Sequence, residues 1–228
     1  CKPVVKMVKL QAKRLEVDDP DNLDMINDFI LNGLRYDFFG EELGKPTESI
    51  SEKKFDISVD AEGKRYNILG FIDKLFLYAQ KKRAIIRDFK TSKAIFKGKD
   101  ITDNLQALMY SLAVKHLYPA YMQRQPEFLF LKFNLEKDLL GESGEGVLQM
   151  DDISDDELEG FEYYLTEVQE YLEGFSEESA LSNFAATQNY PSDGSFGGPL
   201  SCGFAKYPKQ LKKDGTPMWH CAYKFPFD

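Results

Sequence analysis

The chain has few of the residues that build disulfide frameworks, and it has no excess of the basic residues that coat nucleic-acid-binding surfaces. It contains three cysteines among 228 residues, and its 38 acidic residues outnumber its 29 lysines and arginines. A low, odd cysteine count argues against a disulfide framework and is typical of a reducing compartment such as the cytoplasm. No apolar run approaches the roughly 20 residues that a membrane span needs, so we expect no membrane partner.

The charge of the chain is unevenly distributed. A net charge of −9 argues against general binding of nucleic acid, which normally requires a basic surface. The local electrostatic field matters more than the sum, however. Several lysines and arginines gather within residues 81–99, whereas much of the acid lies within residues 151–159. The composition is therefore compatible with a local nucleic-acid site in the first of these segments.

The composition and the placement of glycine and proline predict a single domain with three parts. A hydrophobic content of 43% and an aromatic content of 14% are those of a globular chain with one substantial core. We expect a helical N-terminal part in residues 1–48 and an α/β core in residues 49–176. Frequent glycine and proline after residue 176 predict a loop-rich tail in residues 177–228.

The order of periodic segments within the chain predicts a mixed α/β sheet. The expected strands are residues 51–59, 66–72 (with 75–78 as a continuation or an exit), 84–90 and 128–133. The expected helices are residues 7–39, 103–117, capped by Thr102 or Asp103, and 155–171. A helix, a three-strand meander, a helix, a strand and a helix in this order favour a sheet covered by helices.

A carboxylate and an ammonium stand two residues apart at the end of the apolar strand 84–90. Alternate side chains of a strand share a face, so Asp88 and Lys90 are expected on the face that Ile86 occupies. Charges beside a core are costly unless a metal, a substrate or each other compensates them. This arrangement is one that a hydrolytic metal site would use.

Further polar side chains fall on the neighbouring elements. Asp73 ends the preceding strand, Glu52 begins the strand before it, and Gln106 and Tyr110 lie four apart on one helix face. Carboxylates from two adjacent antiparallel strands can converge on one Mg²⁺, an ion that prefers hard oxygen ligands. Such an ion polarises a phosphodiester and acidifies water, and a lysine can orient that water or neutralise developing charge.

Three motifs in this order resemble the RecB-like branch of the PD-(D/E)XK nucleases. They are GFID at residues 70–73, DFKT at residues 88–91 and QALMY at residues 106–110. The resemblance covers residues 50–135. The segment DFKTSK at residues 88–93 is similar to the versions found in phage-encoded members and in CRISPR-adaptation nucleases. The resemblance implies a restriction-endonuclease-like core and a metal-dependent DNA nuclease that often acts from ends on single strands, as an exonuclease in recombination, repair or phage DNA metabolism.

The resemblance also implies roles for individual residues. Asp73 and Asp88 would bind Mg²⁺ or Mn²⁺, and together with Lys90 they would form the catalytic set. Gln106 and Tyr110 would be the helix motif that contacts DNA. Glu52 occupies a position where the family often has a glutamate, although a glutamate at the start of a strand is more often a surface residue than a site residue. The location would be the cytoplasm, which is the host's if the gene is phage-borne.

The chain departs from the family pattern at two places. The family usually has a Glu or His on the helix before the meander that helps to bind metal, and here Glu16, Asp24, Asn27 and Asp28 are the alternatives. Iron–sulfur members have one cysteine before the core and three after it. Here Cys1 precedes the core, and Cys202 and Cys221 follow it. These three thiolates are one short of the four that an iron–sulfur cluster takes. The alternatives are an incomplete cluster or a zinc site that also uses His220.

Two other functions remain open at this level. The chain could keep the nuclease fold but serve as a noncatalytic binding or assembly subunit of a recombination, replication or phage complex. It could also be a zinc-stabilised interaction module built on the cysteine-containing tail, whose cysteines could equally be free thiols packed as small hydrophobes.

Overall fold

The computed structural model describes residues 2–98, 101 and 103–176, without the side chains of residues 2–4. Cys1, Cys202, Cys221 and His220 lie outside the described residues. The chain divides into two units, Cys1–Gln169 and Glu170–Asp228. Among the described helices, none combines the length and apolar character needed to span a membrane.

Two helices replace the single N-terminal helix predicted for residues 7–39. Helix α1 spans Lys2–Arg14 and helix α2 spans Pro20–Arg35. Between them Glu16 has a φ of +58°, a left-handed conformation that ends helices. Pro20 then stands in the first turn of α2, where its fixed φ is favourable, and Asp19 caps the helix by accepting the Asn22 N–H at 3.0 Å. The prediction is wrong because these local signals interrupt the apolar periodicity.

Five strands form one sheet in the order β1-β2-β3-β4-β5. Their bounds are Glu48–Ala61, Lys64–Tyr78, Arg83–Lys90, Gln123–Phe130 and Val147–Gln149. Neighbours are antiparallel except for β3 and β4, which are parallel and are connected through helix α3, Leu105–Leu117. Helix α4, Asp155–Glu173, follows β5. The predicted mixed α/β core with helices at the N-terminus is confirmed.

Several element bounds differ from the predicted ones. Helix α3 begins two residues later than expected, and its cap is Asn104, whose side chain accepts the Ala107 N–H at 2.9 Å. Strand β4 begins at Gln123, five residues early, because its polar residues find partners that are distant in the chain. Arg124, for example, is 2% exposed and lies 2.8 Å from Asp155. Strand β5 has three residues, too few for an alternation pattern to predict it.

The alternation of buried side chains shifts in the middle of β1 and β2. Ile72 and Leu75 both belong to the main core cluster, although residues three apart on a regular strand point to opposite faces. The cross-strand partners Lys53↔Ile72 and Ser51↔Lys74 keep one register on either side of the shift. At this point Glu52 has a φ of +51°, in the left-handed region. The two strands therefore change face together, and Asp73 lies at the change.

The main core lies between one face of the sheet and the helices α3 and α4. Ile86 of β3 and Leu112 of α3 belong to this cluster, together with Phe161 of α4. On the opposite face, Tyr36 at the end of α2 packs with Leu129 of β4. Strand β3 is therefore covered on both faces, and its successive side chains serve two different environments.

A buried ion pair joins β3 to β4 on the face opposite Asp88. The guanidinium Nε of Arg87 lies 2.5 Å from Glu127 Oε2, and both side chains are 2% exposed. Arg87 Nη1 also donates to the Asp37 carbonyl at 2.8 Å. Glu127 Oε1 accepts hydrogen bonds from the Tyr36 hydroxyl at 2.9 Å and from Gln149 at 3.0 Å. This network ties the end of α2 to the strand that carries Asp88.

Removing one member of this pair should strongly destabilise the protein. Glu127→Ala leaves the Arg87 charge buried without its carboxylate, which costs about 3–5 kcal/mol of unfolding free energy. Glu136→Ala is the matched control, since Glu136 pairs with Arg35 at 3.3 Å on the surface and such pairs contribute at most about 1 kcal/mol. Urea unfolding measures both, and equal costs for the two variants would contradict the structural role of the buried pair.

Candidate active site

Asp88 and Lys90 lie at the end of β3 on one face of the sheet, as the sequence predicts. Lys90 Nζ lies 2.7 Å from Asp88 Oδ2. The carboxylate is buried at 4% exposure, whereas the lysine side chain is 20% exposed. The ammonium also lies 5.3 Å from the ring centroid of Phe128 and 5.8 Å from that of Phe96. A carboxylate and two aromatic faces therefore hold this cation at the end of the strand.

Helix α3 contributes Gln106 and Tyr110, one turn apart, to the same cluster. The Gln106 carbonyl oxygen accepts a hydrogen bond from Lys90 at 2.5 Å. Its amide nitrogen donates to Asp88 Oδ1 at 2.8 Å and to the Tyr110 hydroxyl at 2.7 Å. The Tyr110 hydroxyl in turn donates to Asp88 Oδ1 at 3.3 Å. Both the carbonyl and the amide group of Gln106 thus form hydrogen bonds within the cluster, and the side chain links Asp88 to Lys90.

Asp73 approaches this cluster from β2. The β2–β3 pairing ends at Lys74↔Arg87, and Asp73 and Asp88 each lie one residue beyond that pair. Asp73 Oδ2 accepts the Phe89 N–H at 2.9 Å, so the side chain continues the ladder where the backbone pairing stops. The two aspartates that the sequence singled out therefore each stand one residue beyond the same cross-strand pair of neighbouring strands.

The electrostatics of the cluster follow from burial and from the two adjacent acids. Burial raises the pKa of Asp88, the Lys90 ammonium opposes this effect, and the neighbouring Asp73 charge adds to it. Burial also raises the pKa of Tyr110 to about 12, so the phenol keeps its proton at neutral pH and can donate to Asp88. A cation placed between the acids would relieve their repulsion.

The donors present fit a hard divalent cation. Asp88 Oδ2 is buried and, apart from its ion pair with Lys90, has no hydrogen-bond partner among the described residues. Within residues 2–98, 101 and 103–176, no group of three or more His, Cys, Asp or Glu side chains surrounds a common point. Two carboxylates suit Mg²⁺ or Mn²⁺, which keep several water and phosphate ligands. They do not make the four-ligand cage of a structural zinc site.

Among the described residues, no third acidic side chain joins the two aspartates to form a metal-binding group. Glu16, Asp24, Asn27 and Asp28 belong to the segment that carries α1 and α2, and all four side chains are exposed. Glu52 of β1 lies opposite Asp73 of β2, in the pairing gap between Ser51↔Lys74 and Lys53↔Ile72, but its side chain is also exposed.

A glycine and a phenylalanine, paired across β1 and β2, support the site tyrosine. Phe55 is the cross-strand partner of Gly70, and a Cβ at Gly70 would lie 2.4 Å from the Phe55 ring. The same ring makes an edge-to-face contact with Tyr110 at 6.2 Å between centroids. The sequence analysis gave Phe55 no such role, although an aromatic opposite a strand glycine is a recurring pairing.

The fold and the site together define the restriction-endonuclease-like class. Its marks here are two acids and a lysine on adjoining strands, with Asp73 inside β2 and not at its predicted end, and a crossover helix that supplies polar support. Residues 11–204 match the model of the PD-(D/E)XK nuclease superfamily, and the chain belongs to that superfamily. Members are typically metal-dependent nucleases, which makes nuclease chemistry on DNA the activity expected of the fold.

Comparison with solved structures shows a similarity to the crystal structure of SSO0001. The TM-score is 0.36 and the sequence identity is 14%, over 77% of this chain and 73% of that chain. A comparison with curated protein sequences found no match.

The contact between Phe55 and Gly70 predicts the effect of a single methyl group. Gly70→Ala forces the Phe55 ring to move and should lower the unfolding free energy by about 1–3 kcal/mol, as overpacking does. Gly160→Ala in α4 is the control, because its Cβ would meet nothing within 4 Å and alanine favours a helix by roughly 0.5–1 kcal/mol. Thermal or urea unfolding should show opposite signs, and a stabilising Gly70→Ala would refute the contact.

Proposed function

We propose that this chain is a Mg²⁺- or Mn²⁺-dependent deoxyribonuclease of the RecB-like branch. The observation that carries the proposal is the joined cluster of Asp88, Lys90, Gln106 and Tyr110, with Asp73 alongside. Each of these side chains belongs to one of the three motifs GFID, DFKT and QALMY, and the motifs come from three separate elements of the fold. A chance ion pair on a strand would not gather all three.

In this proposal Asp73 and Asp88 hold the metal through their carboxylate oxygens. The metal, when bound, would polarise the scissile phosphate and lower the pKa of a water molecule. Asp88 is held in place for this role by the Gln106 amide and the Tyr110 hydroxyl, both of which contact Oδ1. Oδ2 is left facing Lys90, without a further hydrogen bond among the described residues, and is available as a ligand.

Lys90 is the proposed catalytic cation. Its ammonium is positioned by Asp88 and by the Gln106 carbonyl, and aromatic rings border it. From there it can orient the attacking water and neutralise the negative charge that develops on the phosphate. Gln106 acts through Lys90 and Asp88 and is a positioning residue, as is Tyr110. The family resemblance implied instead that these two side chains contact DNA directly.

The residues of the three motifs support a more specific substrate and a more specific cellular role for the nuclease. Similarity to phage-encoded and CRISPR-adaptation nucleases favours an exonuclease that acts on single strands or free ends in recombination, repair or phage DNA metabolism. Other recombination or replication proteins would then be its partners, in the cytoplasm of a cell or of a phage host.

Cleavage of end-labelled DNA in Mn²⁺ tests the proposed activity. Asp88→Asn and Lys90→Gln should each lower kcat by about 100-fold or more, the usual scale for losing an electrostatic or acid–base group. Lys54→Gln is the control, since Lys54 is an exposed lysine on β1 that pairs with Asp56, and it should cleave like the unmodified protein. Undiminished cleavage by the Asp88 variant would refute the assignment.

A noncatalytic subunit with the same fold is the second candidate. It is favoured by the net charge of −9 and by the lack of a third acidic ligand beside Asp73 and Asp88 in the described residues. The two functions differ in their need for a metal, because a purely assembling module has no use for a cation at these acids.

Thermal unfolding with and without Mn²⁺ separates the two candidates. At a concentration 100 times the Kd, binding should raise the Tm by roughly 5 °C or more. Asp73→Asn and Asp88→Asn should abolish this rise, whereas Asp56→Asn, a change of an exposed acid on β1, should leave it intact. A Tm that Mn²⁺ does not change in the unmodified protein would favour the noncatalytic candidate.

A further inference from the structure

A groove with a volume of about 550 Å³ lies between helix α2 and the chain that follows β4. Phe29, Asn32 and Arg35 line it from the helix, and Leu131, Lys132 and Phe133 line it from the other side. Its volume is within the range of small-ligand sites, which runs from roughly 300 to 1,000 Å³. Asn32 holds the two walls together, because its amide donates to the Leu131 carbonyl at 2.9 Å and to the Phe133 carbonyl at 2.6 Å.

The groove begins at the edge of the sheet where the candidate active site lies. Strands β3 and β4 are parallel, with Lys90 paired to Phe130, so both strands end at the same edge. The Leu131 N–H donates to the Lys90 carbonyl at 2.9 Å. The first residue of the groove wall is therefore hydrogen-bonded to the residue that carries the proposed catalytic ammonium.

The side chains of the groove suit a nucleotide. Lys132 Nζ lies 5.7 Å from the centroid of the Phe29 ring. The lysine is exposed, and in the part of the chain that the structure describes no carboxylate lies within ion-pair distance of it. The other cation, Arg35, is paired with Glu136, and one acid, Asp28, is present. A phosphate would attract the unpaired ammonium, and the ring would offer its face to a base.

We propose that this groove binds a nucleotide of a single DNA strand that passes from the scissile phosphate around the shared edge of β3 and β4 to the α2 side of the sheet, with its base stacked on Phe29 and its phosphate against Lys132. The inference rests on the proposed nuclease function, and it assigns the strand a path from Lys90 along Leu131 to α2. A single strand is required because bases in a duplex are already stacked on one another and cannot reach a side-chain ring.

Steady-state cleavage of a single-stranded oligonucleotide tests the groove. Phe29→Leu keeps apolar bulk but removes the aromatic face, and Lys132→Gln removes the charge at an exposed site. Each should raise KM about tenfold, near the lower end of the contribution of a stacked base, while kcat stays within about twofold. Lys137→Gln is the matched control on the same loop, since that lysine pairs with Glu42, and it should leave KM unchanged.

Fluorescence anisotropy with labelled DNA, performed in the Asp88→Asn background, separates binding from cleavage. Phe29→Leu and Lys132→Gln should each weaken binding of the single strand about tenfold and affect a blunt duplex much less. An unchanged single-strand affinity, an equal loss for duplex, or a fall in kcat with unchanged KM would overturn the groove assignment. Cleavage that survives Asp88→Asn would instead overturn the proposed function, so the two failures are distinguishable.

Discussion

A carboxylate buried at the end of an apolar strand needs partners that replace water, and much of the site is organised around this need. Asp88 receives an amide, a phenol and an ammonium, each from a different position on α3 or β3. These partners offset part of the desolvation of the acid and also hold Lys90 in one place. Burial still raises the pKa of Asp88, and a cation bound beside it would favour the charged form of the carboxylate.

The neighbouring residue on β3 meets the same physical requirement on the other face of the sheet. Arg87 is buried with Glu127 on the adjacent parallel strand, and Tyr36 and Gln149 complete the hydrogen bonds of that glutamate. One short strand thus carries a structural ion pair on one face and the candidate active site on the other. The structural pair sets β3 against β4, and the edge that these two strands share is also where the groove beside α2 begins.

Periodicity was sufficient for some features of the site and insufficient for others. The two-residue repeat placed Asp88 and Lys90 on one face, and the four-residue spacing placed Gln106 and Tyr110 together. The early start of β4 does not follow from periodicity, because its polar residues find their partners far away in the chain. The left-handed residue Glu16 divides the N-terminal helix. The change of face beside Asp73 is likewise a property of two strands paired together and of neither strand alone.

The sequence by itself determined the order of the central strands and the crossover helix, the nuclease superfamily and the candidate site residues, because these depend on local spacing and on short sequence motifs. Only the tertiary structure decided that Gln106 links Lys90 to Asp88, that Phe55 fills the space above Gly70, and that a groove lies between α2 and the chain after β4. These are contacts between residues distant in the chain. Their geometry depends on strand register, helix position and side-chain packing, which no single segment specifies.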